Sequence, residues 1–129
     1  MLTSEEKSFE EKRQFRRLPL KEAVRYEFKD PRRFGACTSS DISEGGIKLT
    51  LNDFVPLETD LTLQINLNEG QLVECTGRVI WVEKLPFWDA YRAGLKFNLN
   101  ELYFKSKKSI REFIQSEIQK NEGVSLYTL

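Results

Sequence analysis

The chain contains no histidine and only two cysteines among its 129 residues. The missing histidine removes the commonest general base near neutral pH and the commonest zinc ligand. Cys37 and Cys75 lie in separate predicted strands without CxxC spacing, so we expect buried or half-buried free thiols and no metal site. No pair of carboxylates has a sequence setting that suggests acid and base roles. These absences make many enzyme classes harder to build, and we expect neither enzymatic activity nor a cofactor.

Long hydrophobic segments are missing as well. No apolar run approaches the roughly 20 residues that a membrane-spanning helix needs, and the first residues lack the apolar stretch of a signal peptide. The composition, 40% hydrophobic and 31% charged, is typical of a soluble globular protein, and the length favours one domain. We expect a cytoplasmic protein that does not insert into membranes.

The net charge is zero, but the charges are unevenly distributed. Residues 12–33 contain nine Lys or Arg against three acids, whereas residues 41–74 contain seven acids and only Lys48. A local basic segment on a neutral protein suits a small anionic ligand better than a long polyanion, which needs many phosphate contacts. An oligonucleotide-binding barrel is also disfavoured because no strand has a basic and aromatic face. A nucleic acid polymer is therefore not an expected partner.

Alternating apolar and polar residues predict six short strands, which is typical of a barrel or sandwich. Gly77 lies inside the long fifth strand and predicts a bulge or bend there. Trp81 is expected in the barrel core, and Trp88 is expected to anchor a loop or to form, with Phe87, an exposed patch that binds a partner. The strands are predicted at residues 23–28, 35–40, 47–51, 61–67, 72–82 and 91–97.

The C-terminal part of the chain has a helical pattern. Asn100 is a candidate cap, and apolar residues recur from Ile110 to Ile118 at steps of three and four, with Leu102 and Phe104 as upstream extensions. This stripe is expected to pack on the barrel or on a partner. The predicted division is a flexible arm at 1–11, a barrel domain with its helix at 12–121 and a tail at 122–129.

Two short motifs stand out in the first half of the chain. Residues 13–17 (RQFRR) give an RxxxR pattern, and residues 41–46 (DISEGG) give DxSxxG between the second and third predicted strands. A guanidinium fork pairs two donors with guanine O6 and N7 or with phosphate oxygens, and it also stacks on a purine. A carboxylate accepts from guanine N1–H and its amino group. Taken singly, however, an arginine pair is usually a solvated face and Asp-x-Ser a turn.

In their order, spacing and strand context, the motifs make residues 12–118 resemble the PilZ family of cyclic di-GMP receptors. The resemblance implies a mainly β fold, namely a six-stranded antiparallel barrel with a C-terminal helix. It also implies cyclic di-GMP as the ligand. The implied ligand-binding residues are Arg13, Arg17, Asp41, Ser43 and Gly46, with Lys12 and Arg16 as further candidates.

The resemblance also implies a mechanism in which the nucleotide orders the N-terminal arginine segment against the Asp41 to Gly46 turn and so signals to a downstream protein. The glycine at 46 would allow a close backbone approach to the ligand or a positive φ. Arg32 and Arg33 are expected to be surface charges. A ligand-independent adaptor that acts through protein contacts is the alternative.

Overall fold

The computed structural model describes residues 17–29, 32–68 and 71–128. Within these residues, all six predicted strands are present, and Leu18–Pro19 adds a short strand that the sequence pattern did not predict. The elements are β1 (Leu18–Pro19), β2 (Ala23–Lys29), β3 (Arg32–Ile42), β4 (Gly46–Leu51), β5 (Asp60–Asn68), β6 (Gln71–Lys84), β7 (Tyr91–Phe97) and α1 (Glu101–Thr128).

The strands form a closed antiparallel barrel. Hydrogen-bonded neighbours follow the order β3-β2-β5-β6-β7-β4, and β4 pairs back with β3 to close the ring. β1 adds to the end of β3, where Leu18 pairs with Ile42 and Pro19 with Asp41. The predicted fold, a six-stranded barrel with a C-terminal helix, is confirmed, with β1 as an extra strand.

The barrel interior is filled by the apolar side chains of the alternating strands. Val24, Leu49, Leu63 and Ile65 are among those with no exposed surface, as expected where period-2 alternation directs one face inward. Cys37 and Cys75 are buried free thiols, which confirms that prediction. Burial raises the pKa of each thiol to about 12, so both are inert and protonated near neutral pH.

The irregularity in β6 lies at Ile80 and not at the predicted Gly77. Val79 pairs with Leu95 and Trp81 with Gly94, so Ile80 is an extra residue in the ladder. Because one inserted residue reverses the alternation, Trp81 points outward although it has the sequence parity of inward-facing Val79. The prediction that Trp81 belongs to the core is wrong, since its side chain lies half-buried against Gly94 on the outer surface.

A second bulge acts in the same way on β3. Ser39 pairs with Leu49 and Asp41 with Lys48, which leaves Ser40 as the extra residue. Ser39 is buried and Asp41 is only partly so, because the bulge turns Asp41 to the outside of the barrel. Without it, the aspartate would share the inward parity of Ser39.

Helix α1 is capped as predicted, since Asn100 Oδ1 accepts a hydrogen bond from the Tyr103 amide at 3.1 Å. Asn100 also donates to Thr76 Oγ1 at 2.7 Å, and Ser106 donates to the Glu74 carbonyl at 2.8 Å, which fixes the start of the helix on β6. No helix within the described part of the chain is both long and apolar enough to span a membrane.

The buried face of α1 differs in part from the predicted stripe. Ile110, Phe113 and Ile114 are buried as predicted, and Ile118 packs at their margin. Upstream, however, Tyr103 is buried and Phe104 is 60% exposed, so the extension to Phe104 is wrong. The helix continues to Thr128 and thus into the segment assigned to a tail. The division into arm, domain and tail remains a prediction.

The loop between β6 and β7 carries two exposed aromatic residues. Phe87 is fully exposed and has a φ of 68°, and Trp88 is 71% exposed. Trp88 therefore does not anchor the loop by burial. The alternative role, as a partner-binding patch, stays a prediction.

Candidate functional site

The N-terminal strand β1 brings the two sequence motifs together. Its pairing with Ile42 and Asp41 continues through a hydrogen bond from the Leu20 amide to the Ser40 carbonyl at 3.1 Å. Leu18 and Leu20 are each only 6% exposed and anchor this segment on the barrel. Arg17 directly precedes β1, so the anchored strand places the arginine beside the aspartate of the second motif.

Asp41 is held between two cations. Arg17 Nη1 donates to Asp41 Oδ1 at 3.1 Å, and Lys48 Nζ lies 3.2 Å from Asp41 Oδ2. The side chains are partly shielded, with 24% of Arg17, 18% of Asp41 and 29% of Lys48 exposed. The Arg17 Nε is buried and has no hydrogen-bond partner within the described residues, so the guanidinium uses only part of its donor capacity there.

An outward-facing row of residues crosses the barrel from this ion pair. Asp41 pairs with Lys48, Lys48 with Gly94 and Gly94 with Trp81, and we call these four residues the outer row. A Cβ on Gly94 would lie 2.1 Å from the Trp81 Nε1, so only glycine leaves room for the indole. Adjacent strands are about 4.8 Å apart, which makes the row about 14 Å long. It combines an acid, a base and a flat aromatic surface.

Ser43 is a structural residue of the turn that follows β3. It is 5% exposed, and its Oγ accepts hydrogen bonds from the Gly45 and Gly46 amides at 3.2 Å each. The Ser43 amide donates to the Gly46 carbonyl at 2.9 Å. The hydroxyl therefore fixes the turn locally, as Ser side chains commonly do.

Gly46 is required by a close approach between strands. A Cβ at this position would lie 2.1 Å from the Leu95 carbonyl oxygen. Because that oxygen belongs to the backbone, only a movement of the backbone could relieve the clash. Its φ does not lie in the left-handed region, so the suggestion of a positive φ is wrong. The glycine serves the pairing of β4 with β7, where Gly46 faces Lys96.

Glu44, at the centre of the same turn, is held by the helix. Tyr103 Oη donates to the Glu44 carbonyl at 2.7 Å, and Arg111 Nε donates to the Glu44 carboxylate. Burial, together with the negative Glu44, raises the pKa of Tyr103, so the phenol stays protonated and able to donate. The turn is also joined to β7, because the Phe97 amide donates to the Gly45 carbonyl at 2.9 Å.

The structure thus brings together four of the predicted residues: Arg17, Asp41, Ser43 and Gly46. Lys12, Arg13 and Arg16 lie outside the described residues. Arg32 and Arg33 are exposed as predicted, in the first residues of β3. Arg32 pairs with Glu27 at 2.9 Å and Arg33 stacks on the Phe28 ring, away from the aspartate.

Among the side chains of the outer row, sequence reasoning missed those of Lys48 and Trp81. Lys48 occupies a polar position in the alternating segment 47–51, and this alternation alone predicts that it faces outward. Its position opposite Asp41 depends on the Ser40 bulge, for which no sequence signal was found. The outward orientation of Trp81 depends likewise on the bulge at Ile80.

The described residues also form a surface groove, but they contain no cluster of metal ligands. A surface groove of about 420 Å³ runs over β2, β3, β5 and β6, remote from the Arg17–Asp41 pair. Its lining includes Arg25, Glu27, Phe34, Gln64 and Glu74. No cluster of three or more potential metal ligands is found in the described part of the chain.

Comparison with solved structures shows the same architecture in other proteins. Escherichia coli YcgR in complex with c-di-GMP matches 92% of this chain with a TM-score of 0.71 and 12% identity. The K. pneumonia MrkH–c-di-GMP complex matches 86% with a TM-score of 0.69 and 17% identity. Bacillus subtilis inhibitor of motility (MotI/DgrA) matches 84% with a TM-score of 0.65 and 21% identity.

The matched region spans 51%, 54% and 53% of these three chains, respectively, so this chain corresponds to about half of each. No match was found among curated protein sequences. The family model described as "PilZ domain" matches residues 11–116, which include both motifs, the whole barrel and most of the described helix contacts. The chain therefore belongs to the PilZ domain family.

Proposed function

We propose that the chain is a cyclic di-GMP receptor that works in the bacterial cytoplasm and catalyses no reaction. The observation that carries the proposal is the meeting of Arg17 with Asp41 on the outer face of a PilZ barrel. The solved neighbours YcgR and MrkH, which are complexes with c-di-GMP, support the same ligand.

The chemistry of the pair suits this nucleotide. Cyclic di-GMP presents two guanines and two phosphates, and the Arg17 fork offers donors for guanine O6 and N7 or for phosphate oxygens. The Asp41 carboxylate offers acceptors for guanine N1–H and the amino group. Arg17 and Asp41 form an ion pair with each other, and binding would exchange this pair for contacts with the nucleotide.

The outer row extends the proposed site beyond the two motifs. Lys48 keeps a positive charge beside Asp41 when Arg17 turns to the ligand, and it can also face a phosphate. Trp81 offers a flat apolar surface on which a guanine can stack. Base–aromatic stacking contributes about 1–3 kcal/mol per base. Ser43 and Gly46 contribute by shaping the turn.

We further propose that the nucleotide draws Arg13, with Lys12 and Arg16 as additional contacts, against the Asp41 to Gly46 turn. Such a switch requires that the ligand favour one state of the segment over the other. The ordered segment would then be recognised by a downstream protein. Saturating cyclic di-GMP is therefore expected to slow tryptic cleavage after Arg13 and Arg16, and an unchanged cleavage rate would contradict this mechanism.

The ligand-independent adaptor is not favoured. Arg17 and Asp41 are both present and in contact on the outer surface, whereas an adaptor would need neither of them. Solved neighbours in complex with c-di-GMP point the same way.

Titration calorimetry tests the proposed ligand directly, because it gives affinity and stoichiometry together. Cyclic di-GMP is expected to bind, and GMP, GTP and cyclic AMP are expected to bind far more weakly, since each lacks two guanines joined by two phosphates. A comparable affinity for GMP would refute the specificity. An absence of heat and of any thermal shift with cyclic di-GMP would refute the function.

A further inference from the structure

The contacts of Glu44 connect the proposed nucleotide site to helix α1. Glu44 lies between Ser43 and Gly45, inside the turn that begins two residues after Asp41. Tyr103 and Arg111, about two helical turns apart on α1, donate to its carbonyl and its carboxylate. The turn is thus fixed by side chains 59 and 67 positions away along the chain.

Helix α1, on the other side of these contacts, is itself held on the barrel. The Asn100 cap and Ser106 tie α1 to Thr76 and Glu74 of β6, and the Tyr103 ring lies 5.9 Å from the Phe97 ring. Tyr103 is only 4% exposed, so its hydroxyl has little freedom to find another partner. A turn that depends on these contacts will change its geometry when the helix is displaced.

We propose that Tyr103 and Arg111 are positioning residues that hold the DxSxxG turn in the form that binds the nucleotide, so that helix docking and nucleotide binding are coupled. The inference rests on the proposed function, because it names the regulation of that same site. Neither residue needs to touch the ligand. By linkage, the nucleotide stabilises the docked helix as much as the docked helix strengthens nucleotide binding.

The expected size of the effect follows from the two contacts. A neutral hydrogen bond contributes about 1 kcal/mol net, so Tyr103→Phe is expected to weaken cyclic di-GMP binding by about three- to tenfold while the ring stays packed. Arg111 is 49% exposed, and a half-exposed ion pair is worth less. For Arg111→Met we expect a loss of about two- to fourfold.

The matched control is Lys108→Met on the same helix. Lys108 is 86% exposed, and within the described residues its ion pair is with Glu112, at 3.9 Å. Its replacement therefore removes a cation from α1 without touching the turn. Its affinity is expected to stay within about twofold of the parent, because an exposed charge acts only through a screened field. A loss equal to that of Arg111→Met would attribute the effect to net charge and overturn the inference.

The experiment combines calorimetry with cyclic di-GMP and amide hydrogen exchange of Gly45 and Gly46 in the ligand-free proteins. Both amides donate to Ser43 Oγ and report whether the turn is intact. Tyr103→Phe and Arg111→Met are expected to speed exchange and weaken binding, and Arg111→Lys to restore part of the affinity. Arg111→Met combined with Glu44→Gln is expected to weaken binding no more than either change alone, because both remove the same pair.

Two results would overturn the inference while leaving the proposed function intact: unchanged exchange of the turn amides, or faster exchange with parental affinity. If the parent protein does not bind cyclic di-GMP, the proposed function fails first. In that case the coupling to nucleotide fails with it, and exchange in the ligand-free variants still decides whether the helix holds the turn.

Discussion

Replacing Arg17 with lysine separates the charge of the proposed site from its geometry. Arg17 Nη1 donates to Asp41, and the Arg17 Nε is buried without a hydrogen-bond partner in the described part of the chain. A lysine can keep the single ion pair with Asp41, so the free energy of unfolding should change by less than about 1 kcal/mol. It cannot offer two parallel donors or stack on a purine.

The affinity for cyclic di-GMP should therefore fall by about tenfold or more, which corresponds to roughly 1.4 kcal/mol, or about one charge-assisted hydrogen bond. Calorimetry at physiological salt measures the affinity, and urea unfolding without nucleotide measures the stability. An Arg17→Lys protein that binds within twofold of the parent would refute the assignment of the guanidinium fork to the ligand.

The control for this change is Arg32→Lys. Arg32 also makes a single ion pair, with Glu27 at 2.9 Å, but its side chain is 71% exposed and lies away from Asp41. Its affinity should stay at the parental value. Replacing Arg32 and Arg33 together with alanine should lower affinity only slightly, and mainly at low salt. A larger loss in this double variant than in Arg17→Lys would show that the assignment of the site to Arg17 is wrong.

Three further outcomes are expected. Asp41→Ala should weaken cyclic di-GMP binding at least tenfold in calorimetry, while its thermal midpoint without nucleotide stays near the parent's; unfolding of the apo variant would make Asp41 a structural residue. Gly46→Ala should lose roughly 2 kcal/mol or more of stability in urea unfolding, because its Cβ would meet the Leu95 carbonyl; parental stability would contradict this contact. Finally, burial raises the pKa of the Cys37 and Cys75 thiols to about 12 in the folded state, so the unfolded state loses these protons at a lower pH. The free energy of unfolding should therefore fall between about pH 9 and pH 12, by up to about 1.4 kcal/mol per pH unit for each thiol. Urea unfolding at pH 8 and pH 10, with Cys75→Ser as the control that should reduce the slope, measures this loss.

The strands and the helix were predictable because their residues alternate with the period of the element they form. Segment 91–97 was predicted with its exact bounds, since alternation and flanking loop residues mark both ends. β1 could not be predicted, because two residues that include Pro19 give no period. Its pairing depends on the buried Leu18 and Leu20 and on the open edge at the end of β3.

The two motif residues Arg17 and Asp41 could be selected from the sequence as candidates, but the outer row around them could not. The motifs identified Arg17 and Asp41 by their chemistry, and the structure places them in contact. Lys48 and Trp81 were missed because their positions depend on bulges at Ser40 and Ile80, which break the alternation that sequence reasoning uses. A bulge is stabilised by the pairing of neighbouring strands, and a single strand's sequence carries little trace of it.

The two bulges also separate the chemistry of the site from the stability of the barrel. Asp41 and Trp81 lie on the outer surface, while their chain neighbours Ile42 and Val82 point toward the core. Changes at the outward positions are therefore expected to remove the proposed ligand contacts without opening a cavity. Ser43 and Gly46 behave differently, because one fixes the turn and the other admits a neighbouring strand. Weaker binding in a variant of Asp41 thus indicates a ligand contact, whereas weaker binding in a variant of Ser43 or Gly46 indicates one only if the unfolding free energy is unchanged.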